Sequence, residues 1–164
     1  MTNPTMIQYF HWDHPADGTL WDEVAREAQA LARAGITALW LPPPNKAQGG
    51  ATDVGYGCYD LFDLGEFDQK GTVRTKYGTL DQLRAARQAA RDAGLAIYID
   101  TVLNHKGGAD FTETVLGTPV SHENRNIEIG PPREIDAWTM FTFPGRGDRY
   151  SSFQWRAQHF DAVD

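Results

Sequence analysis

Short apolar runs alternate with helical periods over roughly the first hundred residues. Met6 to Phe10 is apolar and aromatic, with Pro4 before it and the turn His11-Trp12-Asp13-His14-Pro15 behind it, which predicts a buried strand. Leu20, Val24, Ala28, Leu31 and Ala32 fall at helical spacing, with Thr19 as the expected N-cap, Asp22 three residues on and Gly35 as the stop. Ile36 to Leu41 is continuously apolar, as in a parallel strand covered on both faces, and Pro42 to Pro44 end it. A second helix is announced by the capping-box pattern Thr79-Leu80-Asp81-Gln82. It carries Leu83, Ala86 and Ala90 on one side and runs to Gly94, where the apolar run Leu95 to Ile99 begins.

Strand, helix, strand, helix, strand is the rhythm of parallel units, so the fold class is α/β. The connection from Pro42 to Gly78 has little periodicity and far exceeds the usual length of about four to six residues, which marks it as functional. Beyond His105 the rhythm fails. Lys106 to Asp164 is rich in Gly, Pro, Asn and Asp with short aromatic clusters, which predicts an irregular β-rich insertion and a division into 1–105 and 106–164.

Composition narrows the function. A net charge of −7 with scattered basic residues argues against nucleic-acid binding. No apolar run reaches the roughly 18 residues of a membrane span. Met1-Thr2-Asn3-Pro4-Thr5 lacks the regions of a signal peptide, so the expected location is cytoplasmic. The single cysteine, Cys58, excludes an internal disulfide framework and reads as a small buried side chain.

In parallel α/β folds, ligands bind where the loops leave the C-terminal ends of the strands. That rule selects His11-Trp12, the long loop, and Asp100 to His105. Within the loop, Val54-Gly55-Tyr56-Gly57-Cys58-Tyr59-Asp60 interleaves glycines with aromatics and acids. A ring flanked by glycines offers a flat platform for the C–H face of a sugar. Strand alternation would place Asp100, Val102 and Asn104 on one face. The Asn104 amide oxygen is a hard donor suited to Ca²⁺, and His105 can hydrogen-bond a hydroxyl through either ring nitrogen. Asp53, Asp60 and Asp63 have no evident partner, and His14, His122 and His159 read as structural.

These residues carry a family resemblance. Met6 to Phe10, Val54 to Phe67, Lys70-Gly71-Thr72-Val73-Arg74-Thr75-Lys76-Tyr77-Gly78-Thr79, Asp100 to Gly108 and Phe143-Pro144-Gly145-Arg146-Gly147 resemble, in order, the liquefying-type bacterial alpha-amylases. The resemblance implies the N-terminal part of a (β/α)₈ TIM barrel, its first three strands followed by part of an inserted B domain that walls the substrate cleft and helps bind calcium. It also implies retaining endohydrolysis of α-1,4-glucosidic bonds in starch, glycogen or maltodextrin by an enzyme expected to be monomeric. Transferred to these positions, Asp100 supports the active-site hydrogen bonds, Tyr56 stacks on the sugar beside the scissile bond, and His105 bonds that sugar. By the same transfer Asn104 and Asp161 are metal ligands, while Trp12 is a substrate-contact candidate by the strand-end rule alone. The sequence departs from the family at Ala157-Gln158, where aromatics are usual, and in Pro42 to Ala47.

The family's nucleophile and general acid/base have no counterpart among these 164 residues. A complete barrel takes about 250 residues. Hydrolysis by the chain alone is therefore not expected, and three strands should leave an open sheet edge and an uncovered apolar face. A non-catalytic glycan-binding role and membership in a related α-glucan transglycosylase stay open alongside hydrolysis.

Overall fold

The computed structural model describes residues 3–163. Met1, Thr2 and Asp164, which bound the two expected domains and begin the leader reading, lie outside them. The chain forms two compact units, one running through Gly108 and taking in Pro144–Ser151, the other made of Ala109–Phe143 and the residues from Ser152 on. The sequence boundary at 105/106 lies close to the first junction. What the sequence did not foretell is the return of Pro144–Ser151 to the first unit.

In the first unit, β1 (Met6–Gln8), β2 (Ala38–Leu41) and β5 (Ala96–Ile99) form a parallel sheet in the order β1-β2-β5. Register aligns Ile7 with Leu39 and Ile97, and Gln8 with Trp40 and Tyr98. Helix α1 (Leu20–Arg33) buries Leu20, Trp21, Val24 and Ala28, the stripe expected from their spacing. Helix α2 (Leu80–Asp92) buries Ala86 and Ala90. Both helices pack on Leu39, Leu41 and Ile97, so one face of the sheet is core.

The opposite face is not covered. Met6 is 55% exposed, Trp40 36% and Tyr98 58%, which corrects the expectation of a strand buried on both sides and agrees with that of an uncovered face. Helix capping also splits. Thr79 accepts from the Gln82 N–H while the Gln82 side chain accepts from the Thr79 N–H, a full capping box. Thr19 occupies the N-cap of α1 but makes no cap bond, because its hydroxyl donates to Asp17 at 2.8 Å.

The long connection is ordered by polar burial. Its strands β3 (Lys46–Ala47) and β4 (Cys58–Asp60) form a short antiparallel pair. In the second unit, β6 (Phe111–Gly117) and β7 (Arg133–Met140) make an antiparallel hairpin. The Asp110 carboxylate gathers the Thr142 and Phe143 N–H groups at 2.7 and 3.1 Å, and Phe141 bridges to Trp155. No helix among the described residues is long and apolar enough to cross a membrane.

Candidate active site

Three loops at the C-terminal ends of β1, β2 and β5 meet within the first unit. The Tyr56 hydroxyl donates to Asp100 Oδ2 at 2.6 Å, joining the long loop to the end of β5. The Tyr56 ring stacks on Trp12 with centroids 6.1 Å apart and planes 7° apart, an offset stack that joins the loop to the end of β1. His105 Nε2 lies 2.8 Å from the Tyr56 carbonyl. A carbonyl only accepts, so Nε2 carries the proton, and Nδ1 is the acceptor of the neutral ring. His105 then donates from Nδ1 only as imidazolium, which narrows the expectation of donation from either nitrogen.

Beside these residues lies a cleft of about 400 Å³, lined by Gln8, Phe10, His11, Trp12, Trp40, Val54, Tyr56 and Tyr77. Five of the eight are tyrosine, tryptophan or phenylalanine and none is a carboxylate, so the cleft offers ring faces with a few polar groups. Burial, then the hydrogen bond to Asp100, pushes the Tyr56 phenol up to about 12. The Tyr77 phenol is also raised, chiefly by burial, and donates to the Val54 carbonyl at 3.0 Å. Lys76 Nζ holds the Trp12 carbonyl at 3.0 Å, although the Trp12 side chain is 68% exposed.

Local backbone geometry explains the glycine before Tyr56. Gly55 has φ +100°, and a Cβ there would meet the Pro43 side chain at 2.7 Å and its carbonyl at 2.8 Å. The buried prolines thus form the wall against which the aromatic loop turns.

No family model matches the chain. It is 59% identical to an alpha-amylase of Geobacillus stearothermophilus over 99% of its own length and 29% of the relative's. It is 51% identical to an alpha-amylase of Bacillus licheniformis, over 99% of the chain and 31% of the relative. This is alpha-amylase-family sequence. The cytoplasmic alpha-amylase of Escherichia coli (strain K12) is 44% identical over the whole chain and 33% of its own length. The chain spans about a third of the length of the curated relatives it matches. Among solved structures, alternansucrase in complex with isomaltotriose superposes with a TM-score of 0.70 at 23% identity, over 84% of this chain and 13% of that one, a likeness of fold.

Other residues assigned by the amylase resemblance are placed differently. The backbone leaves the ladder after the Asp100 N–H bonds the Leu41 carbonyl at 3.0 Å, so strand parity does not extend to residue 104. Val102 is buried, while Asn104 and His105 are exposed. Asp161 is exposed in the second unit. Among the described residues no three His, Cys, Asp or Glu side chains gather as a metal cluster, whereas Ca²⁺ takes about six to eight oxygens.

The loop acids do have partners. Asp60 pairs with Arg146 at 2.7 Å, both side chains 1% exposed, and Asp63 pairs with Lys46 at 3.3 Å with both fully buried. Gln69 Nε2 donates to both carboxylates, and Lys46 Nζ also donates to the carbonyls of Phe67, Thr72 and Val73. Burial lowers the Lys46 ammonium, and Asp63 opposes that shift. Sequence reasoning missed Lys46, Gln69, Tyr77 and Arg146. The available signal was one lysine inside a proline-rich buried run and one arginine inside the Phe-Pro-Gly-Arg-Gly motif. Cys58 is buried as expected, its thiol pushed up by that burial, with Lys106 Nζ 3.7 Å away.

Proposed function

We propose that the chain supplies one sugar-binding wall of an α-glucan hydrolase active site. The complete protein would cut internal α-1,4 bonds of starch, glycogen or maltodextrin with retention of configuration. The observation that carries this reading is the Tyr56 constellation: ring on Trp12, hydroxyl on Asp100, backbone carbonyl on His105. A stacked aromatic pair presents a flat apolar surface to a pyranose ring, while Asp100 and the Nδ1 of His105 offer polar partners to its hydroxyls. The names of the relatives, alpha-amylase and glucan 1,4-alpha-maltohexaosidase, point to the same polymer class.

On this reading β1, β2 and β5 are the first three strands of a (β/α)₈ barrel, and the second unit belongs to the B domain. Retaining hydrolysis needs two carboxyl groups about 5–5.5 Å apart. Asp100 is the carboxylate the structure brings to Tyr56, so the nucleophile and the acid/base come from other sequence and this chain alone binds without cleaving. Calcium belongs to the proposal only with further oxygen donors, Asn104 and Asp161 being those the resemblance assigns. A cytoplasmic, monomeric enzyme acting on glycogen or imported maltodextrin completes the reading, supported by the name of the Escherichia coli relative.

The test has two arms. Maltotriose titrated into the 164-residue chain should shift Trp12 and Tyr56 ring resonances, with no reducing ends released from amylose. The chain expressed with whatever coding sequence continues its reading frame should release reducing ends whose first anomer is α. A β first product, or no cleavage by a folded longer protein, would overturn the hydrolase reading.

A further inference from the structure

We propose that Asp53 is a positioning residue for Tyr56, acting through the backbone on both sides of the ring. The inference rests on the reading of Tyr56 as a sugar platform and deepens it. Asp53 Oδ1 accepts the Gly55 N–H at 2.9 Å and the Gly57 N–H at 3.4 Å, the amides immediately before and after Tyr56. Its Oδ2 accepts the Gly49 N–H at 3.1 Å, so the same carboxylate ties down the far side of the turn. An ionised carboxylate accepting several backbone N–H groups makes charge-assisted bonds, which are stronger than neutral ones.

The arrangement is selective for this acid and for its glycine neighbour. A Cβ at Gly57 would lie 2.6 Å from Asp53 Oδ2, so the bare backbone at 57 is what lets the carboxylate sit against the chain. The remaining carbonyls of the segment are held from other directions. Tyr77 donates to Val54, His105 to Tyr56, and the Gln48 N–H to Gly57 at 2.8 Å. Asp53 therefore collects the donors while these groups take the acceptors. With the donors released, the Tyr56 carbonyl loses its register against His105, and the phenol loses its register against Asp100. The Asp53 carboxylate bonds backbone amides rather than the rings of the platform, so its effect on a sugar passes through Tyr56.

Three variants of the full chain test this: Asp53→Ala, Asp53→Asn and Tyr56→Ala. Asp53→Asn keeps one oxygen toward Gly55 and Gly57 and loses the acceptor for Gly49, so it should retain most of the platform; Asp53→Ala removes all three bonds. In Asp53→Ala, ring-to-ring NOEs between Trp12 and Tyr56 should weaken and the His105 ring nitrogen should shift, and both signals should recover in Asp53→Asn. Maltotriose affinity should fall about fivefold to tenfold in Asp53→Ala, the scale of one ordinary net hydrogen bond, because the effect reaches the sugar only through Tyr56. In a Tyr56→Ala background the same change should have no further effect, because a positioning residue has nothing left to position. Unchanged NOEs and an unchanged His105 signal in a folded Asp53→Ala chain, signals in Asp53→Asn as weak as in Asp53→Ala, or equal losses in both backgrounds, would overturn the proposal. Wild-type chain that fails to bind maltotriose would remove the platform reading, while the NOE comparison still decides whether Asp53 positions Tyr56.

Discussion

Tyr56 joins three groups from two strand ends, Trp12 after β1 and Asp100 and His105 after β5. Its phenol is raised from the ordinary tyrosine value of 10.0 to about 12, first by burial and then by Asp100. A proton held more tightly in the folded state stabilises the fold fully below the unfolded pKa near 10, and that contribution is lost as pH rises through about 12. Denaturation midpoints of wild type and Tyr56→Phe should therefore run parallel up to about pH 10. Above it the wild type should lose stability faster, since phenylalanine has no proton to release. Parallel curves throughout pH 9 to 12 would mean that burial and Asp100 together do not hold the phenol's proton. His105 adds a second residue-level expectation. With Nε2 committed to the Tyr56 carbonyl, His105→Gln should weaken maltotriose binding, measured by titration calorimetry at constant pH.

At the scale of elements, the two helices carry threonines at equivalent positions with different bonding. Thr79→Ala breaks a complete capping box and should cost about 1 kcal/mol, within the usual 0.5–2 kcal/mol for a lost cap. Thr19→Ala removes no cap bond and should change stability by less than about 0.5 kcal/mol, as surface substitutions do. Urea denaturation of both variants checks the pair, and equal costs would contradict the capping assignment. The long loop makes a harsher prediction. Arg146→Ala leaves Asp60 buried without its guanidinium and should cost about 3–5 kcal/mol. The same contrast explains what could be read in advance. Helices α1 and α2 and the three parallel strands were legible because their apolar periods are local. So were the strand ends that carry Trp12, Tyr56, Asp100 and His105. The loop was not, because its order depends on buried charges that meet only in three dimensions, Asp60 and Arg146 being 86 residues apart. Strand parity past Asp100 failed for a related reason: it holds only while the ladder continues, and the ladder ends there.

At the scale of the whole molecule, the first unit has one satisfied sheet face and one unsatisfied. The helices cover Leu39, Leu41 and Ile97, whereas Met6, Trp40 and Tyr98 are exposed on the other side, and β5 is an edge strand with no partner on its outer flank among the described residues. An exposed apolar face beside an unpaired edge drives association, because both the hydrophobic surface and the open N–H and C=O groups gain by pairing. The chain's net charge of −7 opposes this at long range but is screened within a Debye length of about 8 Å at physiological salt. The chain should therefore be soluble at low concentration and associate reversibly as concentration and salt rise. Sedimentation velocity at two ionic strengths reads this directly. Tyr98→Glu places a charge on the edge strand of the exposed face without touching the helical core, so it should raise the concentration at which association sets in and leave the far-UV spectrum unchanged. If Tyr98→Glu associates as readily as wild type, the sheet face is not the surface that drives association. If the wild-type chain stays monomeric at high salt, burial of that face is not needed for solubility, and the edge geometry of β5 suffices to block pairing.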